Sequence, residues 1–189
     1  MTWICGISLR ALLRDVRNGA APRPSVPVVC RIMRGLAHGV AHYHRRINLI
    51  HGDISPANLI LTPRTTRLVL VDFGSAWPIE SSATKVNGDG VTLPYAAPER
   101  IARHALEDVR SDQFSLCVVL YELMTLGIPF DGAGGRAGLP QNIATHAATF
   151  VAPSHMVANR RRIPSHAFEL LDETLRVGLA LHPDRKSVV

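Results

Sequence analysis

Lysine is nearly absent: Lys85 and Lys186 are the only two in 189 residues, so the formal net charge of +6 comes from arginine. The arginines are scattered, with short clusters such as Arg160-Arg161-Arg162. A nucleic-acid footprint needs a basic patch joined to a binding motif, and no such motif is present, so the charge reads as a solvated surface and no nucleic-acid partner is expected. Cysteine is scarce too. Cys5, Cys30 and Cys117 are odd in number and lack metal-ligand spacing, which argues against a disulfide framework or a zinc site and for a reducing, cytoplasmic setting. The N-terminus lacks the basic, apolar and cleavage-site succession of a signal peptide. The strongest apolar run, Phe114 to Phe130, is interrupted by Glu122 and is too short to span a bilayer comfortably, so a buried helix is expected there and no membrane segment.

What the chain does have is enough apolar material, 47% of its residues, to bury a core as one compact domain over 1–189. Leu9, Leu12, Leu13 and Val16 fall at helix spacing before Pro22, Pro24 and Pro27 interrupt the chain. From about Val28 to Arg45, the residues Val29, Ile32, Met33, Leu36, Val40 and Tyr43 make one apolar helix face. Leu59-Ile60-Leu61 and Leu68-Val69-Leu70-Val71 read as two short strands around a turn at Thr62 to Thr65, which sets Asn58 and Asp72 at neighbouring strand ends. Gly74 to Thr92 has no period and reads as a long functional loop. Ser111 is the expected N-cap of a helix running to about Leu126, apolar around most of its circumference, with Gly127 and Pro129 as stop signals. Residues 131 to 163 are poorly patterned, and a last amphipathic helix opens at Ser165 with Phe168, Leu171, Leu175 and Leu179 on one face.

Two stretches concentrate the chemistry. Residues 51 to 61 read His-Gly-Asp-Ile-Ser-Pro-Ala-Asn-Leu-Ile-Leu, and Asp72-Phe73-Gly74 follows. Taken singly, Asp53 and Asn58 beside Ser55-Pro56, or Asp72 before Gly74, are ordinary turn residues. His38 and His42 lie one helical turn apart but lack a third ligand, so a polar helix face is the better reading than a metal site. Ala97-Pro98-Glu99 lies downstream of both stretches, preceded by Thr92-Leu93-Pro94-Tyr95 and followed by Asp112-Gln113-Phe114-Ser115-Leu116.

In this order and spacing, the motifs resemble the catalytic loop, the Asp-Phe-Gly triplet, the end of the activation segment and the central helix of eukaryotic-like Ser/Thr protein kinases. The resemblance covers nearly the whole chain and implies the C-terminal lobe of that fold: mainly α with a small β-hairpin, an α+β family fold lacking its N-lobe. It implies Asp53 as catalytic base, Asn58 and Asp72 as Mg²⁺ ligands, His51 as a brace, and an ATP site whose adenine meets Ile60, Val71 and the Ile4 backbone. It further implies a protein substrate phosphorylated on Ser or Thr, and an ion pair between Glu99 and Arg185.

Three departures stand out. Gly52 replaces the Arg that pairs with a phosphorylated activation loop in many kinases, so phosphorylation of Ser81, Ser82 or Thr84 need not switch the site. Ser55 stands where Ser/Thr kinases usually carry a Lys that contacts the γ-phosphate. No Lys and no Gly-x-Gly-x-x-Gly precede Asp53, and Thr2 to Leu9 resembles the segment between the two lobes, so the chain is expected to begin at that hinge. The alternatives are an inactive pseudokinase or interaction module, whose cleft face around Ile4, Ile60 and Phe73 is covered by a protein partner, and a small-molecule phosphotransferase, which shares the His-Gly-Asp loop.

Overall fold

The computed structural model describes residues 4–63, 67–79, 92–102, 108–157 and 164–181. A short strand, β1 (Ile7–Ser8), runs straight into helix α1 (Leu9–Arg17), and the Ser8 hydroxyl caps it by accepting from the Ala11 N–H at 3.2 Å. Helix α2 is longer than its periodicity predicts, Val26–Ile47, because Pro27 sits in its first turn, where a missing N–H costs nothing. It ends at Asn48, which takes the left-handed conformation and donates to the His44 carbonyl.

Strand β2 (Leu49–Ile50) follows at once, then the hairpin of β3 (Leu59–Thr62) and β4 (Arg67–Leu70), in which Leu59 faces Leu70 and Ile60 faces Val69. β1 adds to the other edge of β3, giving a three-stranded antiparallel sheet in the order β1-β3-β4. The stretch read as a loop from Gly74 contains one more strand, β5 (Trp77–Pro78), paired antiparallel with β2. At two residues it is too short for any periodicity to register. Among the described residues the later elements are helices, α3 (Pro98–Ala102), α4 (Val109–Thr125), α5 (Ile143–His146), α6 (Pro153–Met156) and α7 (Ser165–Gly178), with 3₁₀ segments at Gly134–Gly138 and Ala147–Thr149 on either side of α5. A mostly helical chain with small antiparallel sheets is the architecture expected.

The start of α4 differs from expectation. Its N-cap is Asp108, whose carboxylate accepts from the Arg110 N–H at 2.7 Å, whereas Ser111 is buried inside the first turn and donates to Glu99 Oε1 at 3.0 Å. α4 is the central element. One side packs Val119, Leu123 and Met124 against Leu9 and Leu13 of α1, five residues of α2, and Leu59 and Leu68 of the hairpin. The other packs Phe114, Cys117, Val118 and Tyr121 against Phe130, Ala137 and the α7 residues Leu175 and Leu179. Burial on both sides explains its lack of a polar face. No helix among the described residues is long and apolar enough to cross a membrane.

Candidate functional site

The site forms where the β3–β4 ladder ends. Beyond the Leu59–Leu70 pair, the Val71 N–H donates to the Asn58 carbonyl at 2.9 Å, so the loop before β3 and the turn after β4 are tied side by side. The loop is closed on itself by Asn58, whose Nδ2 donates to both the Asp53 carbonyl and Asp53 Oδ2, each at 2.9 Å. The other carboxylate oxygen of Asp53 accepts the Thr92 N–H at 2.9 Å. Asp72 follows Val71 with a left-handed backbone, φ 63° and ψ 77°, and its Oδ1 accepts from the Gly74 N–H at 3.2 Å. That conformation is uncommon for a non-glycine residue, and the local side-chain bond helps hold it.

His51 joins these two segments. It is fully buried, its Nδ1 accepts the Asp53 N–H at 3.3 Å, and Nε2 therefore carries the proton and donates to the Val71 carbonyl at 3.2 Å. Its ring stands edge-on to Phe73 with centroids 4.9 Å apart, and the ring of Tyr43 of α2 lies 5.4 Å from the Phe73 ring. Beneath the loop, the buried Asp112 carboxylate of α4 takes both adjacent backbone amides, His51 N–H at 2.8 Å and Gly52 N–H at 2.9 Å, and His44 Nε2 meets Oδ2 at 2.8 Å. A buried carboxylate is tolerated only with such partners. Burial, and then the Asp112 charge, push the Tyr43 phenol up to about 12.

Gly52 is where the structure explains an oddity of the sequence. Its φ is +76°, and a Cβ built there would lie 2.0 Å from Trp77 Cζ3 and 2.7 Å from Arg100 Nη1. The Arg100 guanidinium in turn lies 4.4 Å over the Trp77 ring. The volume that a side chain at position 52 would need is filled by these two residues.

A family profile described as protein kinase domain matches residues 7–183. The chain belongs to the protein kinase domain family. Among curated relatives of this kinase-family chain, MAP kinase kinase mkk-4 of Caenorhabditis elegans is 35% identical over 132 residues, covering 68% of this chain and 36% of that protein. Mitogen-activated protein kinase kinase 1 of Arabidopsis thaliana is 36% identical over 126 residues, 66% of this chain and 33% of its own. A probable serine/threonine-protein kinase, PknB, of Bifidobacterium longum is 33% identical over 147 residues, 76% of this chain and 20% of its own. The chain thus spans about a third or less of the length of these relatives.

Of the sequence-derived site residues, the kinase-family fold puts Asp53 and Asn58 in direct contact and ties Val71, and with it Asp72, to their loop. Ile60 pairs with Val69, so Ile60, Val69 and Val71 share one face of the hairpin. Ile4 is exposed, three residues before β1. Ser81, Ser82, Thr84, Arg185 and the first residues of the hinge-like segment lie outside the described residues. Among the described residues no group of three or more His, Cys, Asp or Glu side chains that could hold a metal ion occurs. Sequence reasoning missed the roles of Asp112, His44 and the Thr92 amide. The available signal was an Asp inside a helix that is apolar around most of its circumference, since such a carboxylate has to be paired.

Proposed function

We propose that this chain transfers the γ-phosphoryl group of ATP to a serine or threonine hydroxyl of a protein substrate, with Asp53 accepting or orienting the hydroxyl proton. The observation that carries this reading is the contact of Asp53 with Asn58, held beside Asp72 by the ladder end. Phosphoryl transfer is catalysed mostly by positioning and by charge neutralisation, so a carboxylate fixed next to oxygen donors for a metal is the arrangement it needs. Asn58 spends its amide nitrogen on Asp53, which turns its amide oxygen the other way, and the Asp72 carboxylate is exposed. Both are hard oxygen donors suited to Mg²⁺. Bound there, Mg²⁺-ATP supplies the phosphoryl group and masks its charge.

In this reading Ile60 and Val71 border the adenine together with the Ile4 backbone, and residues 1–189 correspond to the C-terminal, mainly helical lobe of a kinase working in the cytoplasm. An acceptor hydroxyl must displace or share the bond that Thr92 N–H makes to Asp53 Oδ1. Incubation with labelled ATP and a generic acceptor protein tests the proposal. Transfer that Asp53→Asn abolishes supports it; no transfer to any acceptor overturns it.

A second reading, an inactive interaction module, draws on the exposure of Ile4, Ile7 and Phe73 beside the site and on the occupied Asp53 carboxylate. It expects stable association with a protein partner without nucleotide binding. A monodisperse monomer that binds Mg²⁺-ATP would count against it.

A further inference from the structure

Beside the Asp53 loop lies a cavity of about 320 Å³ lined by Arg10, Leu13 and Arg17 of α1, Ser55 to Ala57 of the loop, Thr92, Tyr95 and Glu122 of α4. It adjoins the reaction site on two sides. The Thr92 N–H holds Asp53 Oδ1, and the Arg10 N–H donates to the Pro56 carbonyl at 2.9 Å, fixing the start of α1 to the loop.

Its charges are unevenly satisfied. The one carboxylate, Glu122, is buried and has both oxygens engaged: Arg17 Nη2 donates to Oε1, and the Tyr95 hydroxyl donates to Oε2 at 2.7 Å. Arg17 is fixed further by its Nε on the Leu126 carbonyl at 3.0 Å. Two arginines and one carboxylate therefore line the cavity, and the charge in excess is that of the exposed Arg10. Arg10 lines the cavity together with Arg17 and Tyr95, and the charges of both arginines oppose the burial and the Glu122 interactions that raise the Tyr95 phenol. A second group waits for a partner: Ser55 is fully buried in the cavity wall, and its hydroxyl makes no hydrogen bond. An unsatisfied buried hydroxyl costs stability unless a ligand completes it.

We propose that this cavity takes an acidic side chain of the acceptor protein, close in sequence to the hydroxyl that Asp53 faces, and so selects acceptors carrying Asp or Glu there. The inference rests on the phosphoryl-transfer reading for its acceptor, but on the cavity alone for its charge preference. An extended peptide advances ~3.4 Å per residue, and Ser55 is two residues from Asp53, so the acidic residue belongs within about three residues of the acceptor. A basic side chain is disfavoured, because it would have to displace Arg17 from Glu122 while lying beside Arg10.

The test measures binding of fluorescently labelled peptides to the full chain by anisotropy, with one Thr and either Glu, Gln or Lys at neighbouring positions. Peptides with Glu should bind about fivefold more tightly than their Gln counterparts, as a partly exposed ion pair does at most, and the margin should shrink as salt rises. Arg10→Glu, at an exposed position, should invert the preference toward Lys. Ser55→Ala should weaken the Glu peptide about threefold without lowering thermal stability, because the hydroxyl it removes has no partner in the free protein. Equal binding of Glu and Gln peptides, or an unchanged preference in Arg10→Glu, overturns the proposal. Acid-selective binding without phosphoryl transfer would keep the cavity assignment and remove the kinase reading, and transfer without charge preference would do the reverse.

Discussion

Gly52→Ala adds one methyl group, and the structure lets its cost be worked out in two parts. The first is backbone: at φ +76° an L side chain crowds its own peptide, at ~1–2 kcal/mol. The second is packing, because a Cβ 2.0 Å from Trp77 Cζ3 and 2.6 Å from Cη2 forces the ring to move, and Trp77 is 2% exposed under the Arg100 guanidinium. Overpacking of a closed site costs ~1–3 kcal/mol. The sum, about 2–5 kcal/mol, is a large share of the ~5–15 kcal/mol that stabilises an ordinary domain. At ~2–4 °C per kcal/mol for a chain of this size, thermal unfolding followed by circular dichroism should shift down by roughly 4–20 °C.

Combining Gly52→Ala with Trp77→Leu separates the two parts. The smaller side chain relieves the clash but not the backbone cost, so the double variant should be more stable than the sum of the single effects predicts by ~1–3 kcal/mol. Gly52→Arg, which restores the residue many kinases carry here, should be worse than Gly52→Ala. A Gly52→Ala protein within ~0.5 kcal/mol of the parent, or a strictly additive double variant, would refute the reasoning.

Asp112→Asn should cost ~2–4 kcal/mol in urea unfolding, since an amide cannot accept with both ends and one of the His51 and Gly52 N–H groups would lose its partner. Asn58→Asp sets a second carboxylate against Asp53 in place of two N–H donations, and labelled-ATP transfer should fall by ~10²-fold or more while the fold survives. At alkaline pH the buried Tyr43 and the half-buried Tyr95 should weaken the fold. Tyr43 is held protonated to about 12, first by burial and then by Asp112, and Tyr95 is raised further by burial and Glu122. The unfolded phenol ionises near pH 10, so their contribution is complete below that value and is lost as pH climbs through the Tyr43 value. Denaturation curves over this range, with phenolate absorbance as a second probe, should show falling stability, and a flat profile would contradict the burial of these rings.

The helices that build the frame were legible because each repeats an apolar residue every three or four positions, as Leu9 to Val16 and Val29 to Tyr43 do. The Asp53–Asn58 loop was legible because its spacing is local: five residues separate Asp53 from Asn58, and one hairpin carries the chain on to Asp72. What failed to show was long-range. Asp112 reaches back 61 residues to the His51 amide, and the β2–β5 pair is two residues deep, so neither leaves a periodic trace. Ser111 misled because a serine ahead of an apolar run is a common cap, while here Asp108 caps the helix and Ser111 turns inward to Glu99. Gly52 looked like the loss of an arginine; the filled volume around it shows that the position also demands the glycine.

The grip of Asp112 on two successive loop amides has a consequence for motion. Those N–H groups can exchange with solvent only when the loop lifts off α4, and α4 lies between the two apolar clusters. The loop should therefore open only together with the helix core, so deuterium uptake at His51 and Gly52 should be as slow as at the centre of α4, and far slower than at an ordinary surface turn. Rigidity at the candidate site is in this way borrowed from the deepest part of the fold, which makes the His51–Asn58 loop, although formally irregular, one of the last segments to loosen on the path to unfolding.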